Sequence, residues 1–140
     1  MSNKLSKNDA MAAINKVNGI LLKNNSTHFA NINSSKSVWW FDISVKKIKS
    51  EDFNIPTFDF LIFNNKENQL HHLRVPTEYI RDNLDQFHIR NDDKKKSVSL
   101  ELSSDKINLF QDIRPGSGRM PFAQFLVSTI IIGNEQQFTG

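Results

Sequence analysis

Apolar residues between positions 37 and 80 form three runs that predict β-strands, separated by turn-forming, basic or Asn-rich segments. In SVWWFDIS (37–44) the apolar side chains alternate, so one face of this strand is expected to be buried. FDFLIFN (58–64) is apolar at nearly every position, which is typical of a central strand covered on both sides. LHHLRV (70–75) ends at Pro76, because proline has no amide proton for the strand ladder. The predicted buried face of the first strand comprises Trp39, Phe41, Ile43 and Val45.

Apolar residues recur at helical spacing in the segments that precede and follow these strands in the sequence. Ser6 is a candidate cap for a first helix, which is expected to continue to about Asn24. Thr77 is a candidate cap for a second helix that extends to Phe87. The charged segment 46–52 also predicts a short helix. The apolar stripe of the first helix comprises Ala10, Ile14, Val17 and Leu21.

The C-terminal half predicts a second hairpin and an ambiguous final element. Residues 87–90 and the alternating segment 97–103 predict two strands joined by the polar tip NDDKKK (91–96). Ser104 is expected to cap a short helix. Residues 121–132 combine a helix-favouring half, FAQFL, with a strand-favouring half, VSTIII, so both assignments stay open.

The bulk composition favours one globular domain. The chain has 140 residues, of which 38% are hydrophobic and 24% charged, values that suit a single buried core. We therefore expect one α+β domain spanning residues 1–140, with a mixed β-sheet of five to seven strands flanked by two or three helices. The absence of cysteine excludes disulfides, thiolate metal sites and cysteine nucleophiles.

Neither end of the chain predicts a targeting or membrane segment. The start, MSNKLSKNDA, is polar and is not followed by an apolar run. The apolar run at 125–132 is interrupted by hydroxyl residues and is too short to cross a bilayer. A cytoplasmic protein without a membrane partner is the expectation.

The balance of charge favours a polyanionic partner. The net charge is +3 and the pI is about 9.2, and several basic residues are grouped along the chain. Trp39 and Trp40 are expected to be both buried beneath a helix layer. The alternative is that one of them is exposed beside the lysines, where it would suit stacking on a base. We therefore predict a small nucleic-acid-binding domain, with DNA as a ligand, that is non-catalytic and needs no cofactor. Its predicted binding residues are Lys46, Lys47, Lys49, Arg74, Arg81 and Trp40.

The histidines and carboxylates do not form a recognised metal motif. His71 and His72 are adjacent on a predicted strand, so their side chains project to opposite faces and cannot share one ion. Asp42 and Asp59 lie inside predicted strands, where a carboxylate needs a partner. Bonding to an arginine or a backbone amide is one interpretation. A divalent-metal nuclease is the other, and it requires the two carboxylates to converge within about 4–6 Å.

The order of elements in residues 10–80 resembles that of restriction-endonuclease-like (PD-(D/E)XK) nucleases. FDFLIFNNKENQLHHLRVP followed by a helix looks like the third and fourth core strands of some members. The resemblance implies a nucleic-acid ligand and, in active members, a Mg²⁺ site with an Asp on the first strand and an Asp/Glu-x-Lys on the second.

The catalytic signature of that family is absent from the corresponding strands. In this resemblance the first core strand is THFANIN (27–33), and Asn31 or Asn33 stands where the Asp belongs. The second core strand is VWWFDISVKK (38–47). Asp42 is followed two positions later by Ser44, where the family has Lys. The Asp-x-Lys triplets of the chain lie at 92–95, on a hairpin tip that is a poor place for a rigid site.

The last apolar segment suggests a second class of function. VSTIIIG (127–133) has the composition of a strand that must be covered. If it lies at a sheet edge, it is expected to recruit another chain by strand addition. The alternative prediction is therefore a protein-interaction or assembly module, with a homodimer formed through this C-terminal strand.

Overall fold

Two β-sheets and one long helix organise the molecule in the computed structural model, which describes residues 4–49, 54–92 and 95–132. Three single 3₁₀ turns accompany the regular elements: Asn24–Ser26, Leu84–Gln86 and Ala123–Phe125. In chain order the helices and strands are α1 (Lys7–Asn18), β1 (Thr27–Asn31), β2 (Val38–Ser44), α2 (Val45–Lys49), β3 (Thr57–Asn64), β4 (Gln69–Pro76), α3 (Thr77–Asp82), β5 (His88–Asp92), β6 (Lys95–Ser103) and β7 (Leu126–Ile131).

The strands form two sheets rather than one. Sheet A has the order β1-β3-β4-β7, and sheet B has the order β2-β6-β5. In sheet A, β1 runs parallel to β3 and the other pairs are antiparallel, whereas sheet B is antiparallel throughout. The predicted α+β class is confirmed, as are the numbers of strands and helices within the described residues. The single sheet of the prediction is divided in two because β2 pairs with β6 and not with its neighbours in sequence.

The main core lies between the two sheets. The predicted alternation of β2 is confirmed, since Trp39 and Ile43 are fully buried while Trp40 is exposed. The Trp39 indole N–H donates to the Phe63 carbonyl oxygen at 3.0 Å, which joins the two sheets. The side chains of β3 and β4 that face β2 and β6 across this core are Phe58, Phe60, Ile62, Leu73 and Val75.

Helix α1 covers the other face of sheet A. Ala10 and Ile14 pack against Leu61, Phe63 and Leu70, so β3 is buried on both faces as predicted. Burial of apolar surface in this contact stabilises the fold by roughly 25 cal/mol for each Å² removed from water. The arrangement is a three-layer stack of helix, sheet A and sheet B.

The predicted end of α1 is wrong. The cap at Ser6 is confirmed, because its hydroxyl accepts from the Asp9 amide at 3.1 Å. The helix ends at Asn18, since Gly19 takes a left-handed conformation (φ 63°) that glycine tolerates without strain. Leu21 lies beyond the end of the helix and is 83% exposed, and Val17 in the last turn of the helix is 58% exposed, so neither extends the buried stripe.

Two further helix predictions are also corrected. Helix α3 has no side-chain cap from Thr77 and ends at Asp82, where a 3₁₀ turn replaces the predicted continuation to Phe87. No helix follows Ser104: the chain there turns back so that the Phe110 amide donates to the Ser103 carbonyl oxygen at 2.8 Å.

The ambiguous C-terminal segment contains a strand. After the Ala123–Phe125 turn, β7 pairs antiparallel with β4 and is the last strand of sheet A in the part of the chain that the structure describes. Its final predicted residue, Gly133, lies outside the described residues, as do positions 50–52 of the charged segment and Asp93 and Lys94 of the hairpin tip. None of the described helices is long and apolar enough to cross a membrane.

Candidate functional site

The chain topology gathers several basic elements at one end of the two-sheet core. β1 and β3 start at this end. β4, which is antiparallel to β3, finishes there, as does β2, which returns after the turn that follows β1. Helices α2 and α3 follow β2 and β4 directly, so their side chains are added to the same end. We call this region the cationic end, and its basic residues are Lys7, Lys23, Lys46, Lys47, Lys49, Arg74 and Arg81.

Five of the six binding residues predicted from the sequence lie at the cationic end. Lys46, Lys47 and Lys49 lie on α2, and Arg74 lies near the end of β4. Arg81 connects α3 to α2, because its Nε donates to the carbonyl oxygen of Ile48 at 3.0 Å, a residue of the neighbouring helix. This bond satisfies a carbonyl at the end of α2 that has no partner within the helix.

Trp40 lies elsewhere, on the outer face of sheet B. Its side chain is 48% exposed, and its indole N–H donates to the Ser99 hydroxyl at 2.9 Å. The guanidinium groups of Arg90 and Arg114 lie 5.8 and 5.5 Å from its ring centroid. Arg74 lies on the opposite side of the core, on the α1 face of sheet A. The structure therefore does not bring Trp40 together with Arg74.

Carboxylates neutralise the arginines around Trp40. Arg90 pairs with Asp42 at 2.8 Å, and Arg114 pairs with Glu101 at 2.8 Å. Beneath them the buried Asp112 accepts the backbone amides of Glu101 and Arg114, and burial raises the pKa of Asp112. This face therefore has the features of a structural cluster in which stacked, ion-paired arginines cover an aromatic side chain.

Two lysines converge on the turn that precedes β1. Lys7 Nζ donates to the Asn24 carbonyl oxygen at 3.1 Å, and Lys47 Nζ donates to the Asn25 carbonyl oxygen at 2.8 Å. Burial lowers the pKa of Lys7, and the charge of Lys47 lowers it further. The sequence analysis missed Lys7 and Lys23, because they are distant in the chain from the α2 lysines and no local pattern links them.

His28 lies below these lysines and remains neutral. Burial, followed by the charges of Lys47 and Lys7, lowers the pKa of His28 to about 4. Its ring packs on Phe58 and Phe60 within the core. The histidine therefore adds no positive charge to the cationic end at neutral pH.

A cavity of about 260 Å³ opens beside the Asn24–Ser26 turn. Its wall combines polar and charged groups with apolar ones, and it is formed by the turn, by the segment that leads into β3, and by side chains of β3 and β4. The lining residues are Leu21, Lys23, Asn25, Ser26, Asn54, Ile55, Pro56, Thr57, Asp59 and Arg74.

Asp59 connects the cavity to a buried hydrogen-bond network. Its Oδ1 accepts from His72 Nε2 at 2.7 Å and lies 3.3 Å from Arg74 Nε. His72 is fully buried, and its Nδ1 lies 3.3 Å from Asn18 Nδ2, which also donates to the Ser128 hydroxyl at 3.1 Å. An imidazole that accepts at Nδ1 and donates at Nε2 is neutral. Asp59 therefore bonds to the His72 imidazole and pairs with the Arg74 guanidinium through the same oxygen.

Asp42 and Asp59 do not form the two-carboxylate site considered from the sequence. Asp42 points away from the core on the outer face of sheet B, whereas Asp59 points to the α1 face of sheet A. Across residues 4–49, 54–92 and 95–132, no three His, Asp or Glu side chains are placed to hold a metal ion. Asn31, a candidate for the first-strand position of the nuclease resemblance, is bonded to the backbone of Leu5.

No protein-family model, curated protein or solved structure matches this chain. The resemblance to restriction-endonuclease-like nucleases consequently stays a prediction. The chemistry of the cationic end and of the adjoining cavity is the basis on which a function can be proposed.

Proposed function

We propose that the protein is a non-catalytic nucleic-acid-binding domain whose ligand binds the cationic end. The observation that supports this most strongly is a difference in ion pairing. Arg90 and Arg114 on sheet B are paired with carboxylates, whereas no ion pair between a lysine and a carboxylate occurs among the residues that the structure describes. At the cationic end, Asp59 is the carboxylate that pairs with a cation, Arg74.

Unpaired cations that are held close together favour a polyanion. Lys7 and Lys47 bond to consecutive backbone carbonyls, and burial, followed by the charge of Lys47, lowers the pKa of Lys7. A phosphate chain relieves the repulsion between these charges and releases its own counterions when it binds. Lys46 and Lys49 extend the charged surface along α2, and both are exposed. The nuclease-like strand pattern supports DNA as the ligand, and the predicted cytoplasmic location is part of this proposal.

The salt dependence of binding tests the proposal. We expect the triple variant Lys7→Gln, Lys23→Gln, Lys47→Gln to bind a single-stranded oligonucleotide more weakly than the wild type. Each lost phosphate contact reduces the slope of log affinity against log salt by about 0.7, so the slope should fall by roughly 2. Fluorescence anisotropy at several salt concentrations measures both quantities.

A control variant with the same change in charge is available at the opposite end of the core. Lys36 and Lys66 lie in the turns after β1 and β3, and Lys106 lies in a segment bonded to Ser37 of the first of these turns. Replacing these three lysines with Gln should leave the slope close to that of the wild type. If both triple variants lose affinity and slope equally, net charge alone controls binding and the proposed location is wrong.

Self-association through β7 is the second candidate function. Leu126, Val127 and Ile131 of this edge strand are 42–51% exposed, and such an edge can pair with another chain. The homodimer stays a prediction. Binding of nucleic acid at the cationic end does not depend on it.

A further inference from the structure

One carboxylate, that of Asp59, contributes to the wall of the cavity beside the cationic end. Asp59 Oδ1 is occupied by His72 and Arg74. Its Oδ2 receives no hydrogen bond from the residues that the structure describes. Asp59 contributes to the cavity wall, so this wall presents a hydrogen-bond acceptor with a negative charge. Arg74, which is half exposed, presents donors immediately beside it.

This wall is unsuited to a phosphate. A carboxylate repels a second anion that contacts it at short range, although Arg74 on its other oxygen balances the charge overall. The group that fits must donate hydrogen bonds to Asp59 and accept them from Arg74 or Lys23. A neutral heterocycle with adjacent N–H donors and a carbonyl acceptor has this pattern.

Among the bases, guanine has the edge that matches. Its exocyclic amino group donates and its O6 and N7 accept, and arginine is the commonest partner of those acceptors. Unstacked bases of single-stranded nucleic acids are commonly recognised on their exposed edges in pockets of this kind. The N–H groups of guanine would point to Asp59, and its carbonyl would point to Arg74.

The remaining walls suit the flat faces of a base. Leu21, Ile55 and Pro56 give the cavity an apolar surface, and its volume of about 260 Å³ is slightly below the range of about 300–1,000 Å³ typical of pockets for larger ligands. Lys23 lines the cavity and is exposed to solvent. A base in the cavity would therefore place its phosphate near the lysines of the cationic end.

We propose that this cavity binds one unpaired guanine base, so that the protein prefers guanine-containing single strands or the free guanine nucleotide. The inference rests on the proposed function for the molecule that carries the base. The two sources are a single strand and a free nucleotide. The recognition chemistry is the same for both sources, and the experiment separates them.

The test uses three oligothymidylate 12-mers that differ at one central position. The first carries guanine there, the second carries hypoxanthine, which lacks the amino group of guanine, and the third carries no base. We expect the wild type to bind the guanine strand about tenfold more tightly than the other two, since both lack the amino group that donates to Asp59 and one hydrogen bond to a charged group gives about this factor. Arg74→Gln removes the donor to O6, which guanine and hypoxanthine share, and should abolish the preference of the protein for both over the strand without a base. Arg81→Gln removes the same charge outside the cavity and should weaken all three complexes equally while the preference remains.

A second pair of variants tests the apolar wall without affecting the fold. Leu21→Ala, at a residue that is 83% exposed, should reduce the preference for guanine. Val17→Ala, at another exposed residue that does not line this cavity, should preserve it. A preference for guanine over the strand without a base that survives both Arg74→Gln and Leu21→Ala would place the base elsewhere and overturn the inference.

The remaining outcomes distinguish this inference from the proposed function. Equal, salt-dependent affinity of the wild type for all three strands would overturn the guanine site and leave nucleic-acid binding intact. Absence of oligonucleotide binding at low salt would overturn the proposed function. Calorimetry with GMP and AMP would then show whether the cavity binds a free guanine nucleotide. Selective binding of GMP supports the guanine site with the free nucleotide as the source. Binding of neither nucleotide overturns it.

Discussion

Replacing Asp59 with alanine is expected to lower the free energy of unfolding by about 2–4 kcal/mol. The substitution leaves the fully buried His72 N–H without its acceptor, and an unsatisfied buried donor alone costs about 1–3 kcal/mol. It also removes the charged partner of Arg74 and the packing of the side chain between β1 and β4. Denaturation in urea, with the linear extrapolation of stability to water, measures the loss.

Asp92→Ala is the matched control for this prediction. Asp92 pairs with Arg90 at 2.7 Å, but its side chain is 66% exposed. An exposed ion pair contributes about 0–1 kcal/mol, so this variant should remain close to the wild type. Equal stability of the Asp59 and Asp92 variants would show that the Asp59–His72 network does not support the fold.

Acidification is expected to destabilise the protein strongly between pH 6.5 and 4. Burial lowers the pKa of His71 to about 4, and burial with the neighbouring lysines lowers that of His28 to about 4. Because the pKa values of both histidines in the folded protein are below the ordinary 6.5, the unfolded chain takes up these protons at a higher pH than the folded protein. The stability that the neutral histidines contribute is complete above pH 6.5 and is lost as the pH falls towards 4. After allowance for solvent screening, the pair contributes about 3–5 kcal/mol.

Unfolding experiments at several pH values can isolate the histidine contribution. The double variant His28→Gln, His71→Gln should lose less stability than the wild type between pH 7 and 4.5, because carboxylate effects are common to both proteins. Above pH 7 the two proteins should show parallel pH profiles. Asp112 acts in the opposite direction, since its raised pKa gives stability that is present at low pH and lost as the pH rises. Identical profiles of the two proteins from pH 7 to 4.5 would show that His28 and His71 do not cause the loss of stability in acid.

The strand pattern was predictable from the sequence because it depends on local alternation. The one-sided burial of β2 and the two-sided burial of β3 follow directly from which positions are apolar. The division into two sheets could not be predicted from this alternation. It depends on the pairing of β2 with β6, a contact between segments more than 50 residues apart, and alternation within a strand does not identify its neighbour.

The candidate site was predictable in part for the same reason. The α2 lysines form a local group, and the sequence alone identified them. The contribution of Lys7 and Lys23 depends on how α1 and the Asn24–Ser26 turn pack against β1 and α2. The proximity of Trp40 and the α2 lysines in the sequence was misleading, because strand alternation directs Trp40 to the outer face of sheet B.

The most direct test of the central claim is a map of the nucleic-acid contact by NMR. A ¹⁵N-labelled protein is titrated at low salt with a short single-stranded oligonucleotide. Binding at the cationic end predicts that the largest shifts occur at Lys7, Asn24–Ser26, Lys47 and Arg74. The indole N–H signal of Trp40, which lies on the outer face of sheet B, should remain unchanged. Shifts concentrated at Trp40 and along β5 and β6, with none at the cationic end, would contradict the account.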